Sequence, residues 1–247
     1  MKVVRAIKKV FLIAKSWLGS ELLDPIEIYY DTNLDLVFPI NSKCGNSSVK
    51  LALIQRYKPD YVSSFPDIHH VDPAVVTDGK LQRIYFKNYN KYGKFCIGKT
   101  VKLVVRNPED RFYSFYLGVV SKRNLIYRYP SGTHRIFRIT EGMSLKAVLN
   151  RISWIPDSIA DRHFRSQAFY LLPQVKFFAK DYIVISIEDF LQSTGKAKEI
   201  RLNDSRKAIP QDTRLWLQQN RRFQTRYSDD YLLYRSRTTF PNPLSKN

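Results

Sequence analysis

Between residues 99 and 116 the chain passes from an apolar run into a proline-started helix within three residues, and this junction restricts the fold more than any other segment. Val101-Lys-Leu-Val-Val105 has the composition of a strand buried in a sheet. Asn107-Pro108 then supplies a helix cap and a proline in the first turn, where its missing N–H costs nothing. The helix is predicted to run to about Val120. Tyr182 to Ile187 reads as a second buried strand, and residues 26–38 read as extended. Val49 to Tyr57 is predicted as a helix stopped by Pro59, and Ser144 can cap another that reaches about Arg151. Residues 59–80 read as loop, and Gln211 to Tyr227 as a very basic helix. Short apolar strands alternating with helices predict an α/β three-layer sandwich with a central parallel sheet covered on both faces.

The 247 residues show no repeat and no linker, so one domain is expected over residues 21–238, with a tail at 239–247. Residues 1–20 read as a basic amphipathic helix. Val3, Ile7, Val10, Phe11, Ala14 and Leu18 share one face, and lysines lie mostly elsewhere. Such a helix either lies on an anionic membrane surface or packs on protein. No stretch reaches the roughly 20 apolar residues that span a bilayer. Cys44 and Cys96 are the only cysteines and have no metal-ligand spacing, which suits a reducing compartment. A cytoplasmic protein is expected, held at most peripherally at the inner face of the membrane. Lys and Arg number 41 against 22 acidic residues, a formal +19 that favours a polyanionic partner without choosing among nucleic acid, membrane, acidic glycan and nucleotide.

Gly93 to Thr100 matches the Walker A pattern but runs directly into a strand. That motif needs a helix after the loop to aim N–H groups at phosphate, so it is rejected. Lys43 to Lys50 is in the right context, after a strand and opening a helix. Gly45 allows close backbone approach, Ser47 and Ser48 bring hydroxyls to the helix start, and Lys43 adds a mobile charge. A second grip is expected at the strand-to-helix junction, where Arg106 ends the strand and Ser114 lies two turns into the helix. Arg111 between them can serve structurally, paired with a neighbouring acid.

Together these segments resemble the paired signatures of sulfotransferases that use 3′-phosphoadenosine 5′-phosphosulfate (PAPS). The first resembles the 5′-phosphosulfate loop Pro-Lys-x-Gly-x-Thr-Ser, matched at Lys43, Gly45 and Ser48, with Ser47 for threonine and Ser42 for proline. The second resembles the 3′-phosphate motif Arg-x-Pro-x-x-Arg-x-x-Ser-x-Tyr, matched at Arg106, Pro108, Arg111, Ser114 and Tyr116. Asp161, His163 and Gln167 are similar to an Asp-x-His-x-x-x-Gln segment of the carbohydrate branch. Arg201 to Ser205, and Tyr227 with Asp230, resemble later segments, so the likeness covers about residues 34–235.

The resemblance implies a P-loop-kinase-like fold and in-line sulfuryl transfer from PAPS, with adenosine 3′,5′-bisphosphate (PAP) as product and no metal. It places Lys43, Cys44, Gly45, Asn46, Ser47 and Ser48 on the 5′ end of the co-substrate, and Arg106 and Ser114 on the 3′-phosphate. Lys43 would stabilise the leaving phosphate. His70 is the preferred base, with His69 and His163 as alternatives. The remaining charge, including Arg214, Arg221, Arg222 and Arg226, suggests an acceptor glycan that is anionic or lipid-linked, unless those arginines form a solvated face. A P-loop nucleotide kinase or NTPase, a basic nucleic-acid-binding protein and an inactive relative are the competing readings.

Overall fold

The computed structural model describes residues 21–63, 67–120, 137–171, 175–176, 179–194 and 209–237. The expected helix at 2–18, the Arg201 to Ser205 segment and the tail at 239–247 lie outside the described residues. β1 (Glu21–Asp31) and β2 (Leu36–Pro39) form an antiparallel hairpin that sets Tyr29 opposite Phe38. β3 (Leu81–Asn88) pairs antiparallel with the other edge of β1. β4 (Thr100–Val105) and β5 (Asp181–Ser186) add parallel strands beyond β2, giving the order β3-β1-β2-β4-β5.

The sheet is therefore mostly parallel, and the expectation of an all-parallel sheet is corrected at β1. The cause is local. Only the turn at residues 32–35 separates β1 from β2, and a parallel neighbour needs a crossover of a dozen or more residues. The Asp31 carboxylate fixes that turn by accepting from the Asn33 and Leu34 N–H groups at 3.2 and 3.1 Å.

The strands bury both faces by simple alternation. Tyr29, Phe38, Val104 and Ile185 enter one core with α1 (Asn46–Gln55) and α6 (Ile187–Ser193). Ile28, Val37, Leu103 and Val184 enter a second core with α3 (Tyr89–Phe95) and the short helical turn Ala168–Leu171. The result is a mixed α/β sandwich. A third core joins α4 (Pro108–Phe115), α5 (Leu145–Ile152), α7 (Gln211–Gln219) and α8 (Arg221–Arg235) through Phe112, Phe115, Leu149, Leu217 and Phe223. The remaining helix, α2 (Pro73–Val76), is one turn capped by Asp72 inside the segment read as loop.

Other boundaries differ for physical reasons. The helix expected to reach Val120 is regular only to Phe115 and continues as a wider π-helical turn, Tyr116–Val120. The basic helix expected over 211–227 is broken at Asn220, whose extended backbone ends α7 and whose side chain caps α8 by accepting from Arg222 and Phe223. The rejected Walker pattern spans the end of α3, a turn with Gly98 at φ 72°, and the first residue of β4. Among the described residues no helix is long and apolar enough to cross a membrane.

Candidate functional site

The loop between β2 and α1 sits at the carboxyl end of the parallel strands, where open α/β sheets place ligand crevices. Its backbone is unusual at two positions. Lys43 has φ 66° and Gly45 φ 72°. The left-handed region costs a non-glycine residue about 1–2 kcal/mol, so surrounding contacts must hold Lys43 there. Gly45 has a second constraint, since a Cβ would lie 2.8 Å from the Ile187 side chain at the start of α6. α1 begins at Asn46 with no side-chain cap and no acid in its first turn. α4, in contrast, has both, with Asn107 accepting from Glu109 and Asp110. The α1 end thus keeps its N–H groups and its positive dipole end for an external anion. Ser47 and Ser48 are buried in that first turn, and Asn46 donates back to Ser42 Oγ at 3.3 Å.

Two buried side chains fasten this loop to the strand-to-helix junction. Gln167, fully buried, accepts at Oε1 from Asn41 Nδ2 at 3.3 Å, Cys44 Sγ at 3.1 Å and the Arg106 N–H at 2.9 Å. Its amide nitrogen donates to the Arg106 carbonyl at 2.9 Å. Arg111, equally buried, donates from Nε to the Ser42 carbonyl at 3.0 Å and from its fork to the Arg162 carbonyl at 3.2 Å. Asp230 is the acid whose charge faces Arg111, while the direct bonds of the guanidinium go to these carbonyls. Phe112 and Phe115 anchor α4 in the third core and leave Arg111 and Ser114, three residues apart, on another face. Arg106 then reaches the Lys43 carbonyl at 3.4 Å. The two expected grips are neighbours, and Ser114 is buried on the helix that leaves the second.

Around the loop the histidines separate. His69 contacts Ser47 Oγ through Nε2 at 3.0 Å and Lys50 Nζ through Nδ1 at 3.3 Å. Burial and the adjacent Lys50 charge push its pKa down to about 4, so the ring is neutral near pH 7. An ammonium can only donate, which puts the His69 proton on Nε2, where it donates to Ser47 Oγ. Lys50 is paired with Glu27 at 2.6 Å, and Glu27 also accepts from Arg162 at 3.2 Å. His163 is held through Nδ1 by Asp161, and burial lowers its pKa despite that carboxylate. The pairing places the proton on Nδ1 and the lone pair on Nε2. Lys43 is close enough to repel charge on this ring. The Lys43 ammonium itself lies against Gly118, where a Cβ would stand 2.7 Å from Nζ. His70 is exposed.

Several of these residues escape a reading of the sequence. Gln167 and Arg111 are visible only as motif positions, and nothing in their spacing gives their partners. Glu27, Arg162 and Gly118 carry no local signal at all. The arginines expected along an acceptor path are corrected in part. Arg214 on α7 pairs with Asp110 on α4 at 2.6 Å, and Arg226 on α8 pairs with Asp157 in the turn that follows α5. In comparisons with protein-family models, curated proteins and solved structures, nothing matched this chain.

Proposed function

We propose that this chain is a sulfotransferase, built on the P-loop-kinase-like sulfotransferase fold, that moves a sulfuryl group from PAPS to a carbohydrate hydroxyl. The observation that carries the reading is the fastening of two anion grips by one buried amide, Gln167, which bonds both the loop at Cys44 and the backbone of Arg106. A nucleoside triphosphate would use the first grip alone. A donor with separate 5′ and 3′ phosphates gives work to both. The uncapped start of α1 supports a 5′-phosphate there, and a guanidinium at the strand end suits a terminal phosphate.

PAPS supplies the sulfuryl group. The acceptor oxygen forms a bond to sulfur as the bond from sulfur to the 5′-phosphate oxygen breaks, and the acceptor proton leaves to a base. Lys43 would hold the charge that develops on the leaving phosphate, helped by N–H groups from Cys44 to Ser48. Ser47, oriented by His69, would donate to the same phosphate. Among the histidines, the geometry favours His163 as base over the exposed His70, because Asp161 presets its tautomer and its depressed pKa keeps it neutral. His69 fits a positioning role, since its lone pair already meets Lys50. In this reading the enzyme is cytoplasmic and needs no metal, and its acceptor is a glycan that is anionic or lipid-linked.

Thermal unfolding with added ligand tests the reading. PAP at a hundredfold excess over its Kd should stabilise the fold by about 2.7 kcal/mol, a rise of several degrees, with each kcal/mol worth roughly 2–4 °C for a chain of this size. ATP and single-stranded DNA should give much less. Equal stabilisation by all three would overturn the proposal.

A further inference from the structure

Across β1 from the loop-bearing β2, the edge strand β3 presents one exposed ring. Tyr85 keeps 50% of its surface accessible, more than Tyr182 at 43%. Strand alternation sets Arg83, Tyr85 and Lys87 on one face, while Ile84 and Phe86 turn into the second core. The Arg83 guanidinium stands 5.8 Å from the Tyr85 ring centre and is pinned by a 2.9 Å bond to the His69 carbonyl. The tyrosine hydroxyl donates to Glu27 at 3.4 Å. From there the bonds already described run through Lys50 and His69 to Ser47. One side-chain network thus joins the exposed ring to the first turn of α1.

We infer that Tyr85 and Arg83 form the acceptor subsite and that it takes a uronate-bearing glycan; the inference rests on the sulfotransferase reading. An acceptor hydroxyl must lie beside the 5′ end of the donor, and this platform is the exposed face that the network ties to that end. A rigid aromatic ring half open to solvent offers its π face to the C–H groups of a sugar at little entropic cost. The flanking guanidinium matches a carboxylate on the same sugar, with a fork that can bond both oxygens. A neutral glycan would use the ring alone, and a polyanion without sugar rings would use the cations alone. Nucleic acid could stack and pair, but its affinity would follow the whole positive surface rather than this ring.

The test uses the full chain loaded with PAP, with calorimetric titration of unsulfated chondroitin, neutral dextran, polyglutamate and single-stranded DNA. Chondroitin should bind most tightly. Tyr85→Ala and Arg83→Ala should each weaken it about tenfold or more, while Tyr85→Phe, which keeps the ring, should retain the wild-type affinity. All variants should keep the PAP-induced thermal shift, which shows that they are folded. Unchanged chondroitin affinity in Tyr85→Ala, or polyglutamate or DNA binding as tight as chondroitin, would overturn the subsite. Loss of the PAP shift in the wild type would instead remove the parent reading.

Discussion

At the scale of single residues, the site depends on one side chain being absent and one proton being fixed. Gly118 leaves the space that the Lys43 ammonium fills. Gly118→Ala should push that ammonium aside and lower kcat about tenfold, with the melting temperature nearly unchanged because the displaced atom ends a flexible chain. Lys43→Ala should cost kcat about 10²–10³-fold, the usual loss for one donor to a developing oxyanion. In the proposed mechanism His163 sets the pH dependence. Its pKa is depressed in the folded protein, so the base form is present above the ordinary histidine value. The rate profile should be flat through neutrality and fall only in acid, and Asp161→Asn should lower kcat and displace that acid limb. An unchanged profile in Asp161→Asn would assign the proton elsewhere. Lys43, Gly45, Ser47 and Arg106 are legible in the sequence because their spacing repeats a motif. Gly118 and Glu27 are not, because their roles exist only across chain separations that no local pattern records.

At the scale of elements, buried polar side chains set the mutual position of the two strand-to-helix turns. Gln167 receives three donors and gives one, so truncation leaves several buried groups without partners. Gln167→Ala should cost about 1–3 kcal/mol of stability and weaken PAP at least tenfold, because both grips lose their common tie. A variant that loses stability yet keeps PAP affinity would make Gln167 a core residue only. β4, β5 and α4 are readable from continuous apolar runs and from Asn107-Pro108. β3 alternates Arg83, Tyr85 and Lys87 with Ile84 and Phe86, the period of a half-buried strand, and lacks the continuous apolar run that makes β4 and β5 plain. The hairpin of β1 and β2 lies in two successive extended runs, 26–30 and 34–38; Asp31-Thr-Asn-Leu-Asp35 between them carries turn residues, but nothing in the runs themselves shows that they pair with each other.

At the scale of the whole molecule, charge and burial meet in the acid stability. His69 keeps a pKa near 4 in the fold against 6.5 for an ordinary histidine. As pH falls below 6.5 the unfolded chain binds a proton that the folded chain refuses. Stability should therefore decline by up to about 3 kcal/mol between pH 6.5 and pH 4, and His163 contributes in the same direction. Denaturant midpoints across that range, with His69→Gln showing a shallower decline, check this. Part of the net charge of +19 is used inside the fold, where Arg214 joins α7 to α4 through Asp110 and Arg226 holds Asp157 in a turn. What distinguishes this molecule in the proposed reading is the pairing of two anion grips at the carboxyl ends of β2 and β4. The most direct measurement is calorimetric titration of PAP and of 5′-AMP, which lacks the 3′-phosphate, into the wild type and Arg106→Ala. PAP should bind the wild type at least tenfold more tightly than AMP, and Arg106→Ala should erase the difference while leaving AMP affinity nearly intact. Equal binding of PAP and AMP by the wild type would contradict the account.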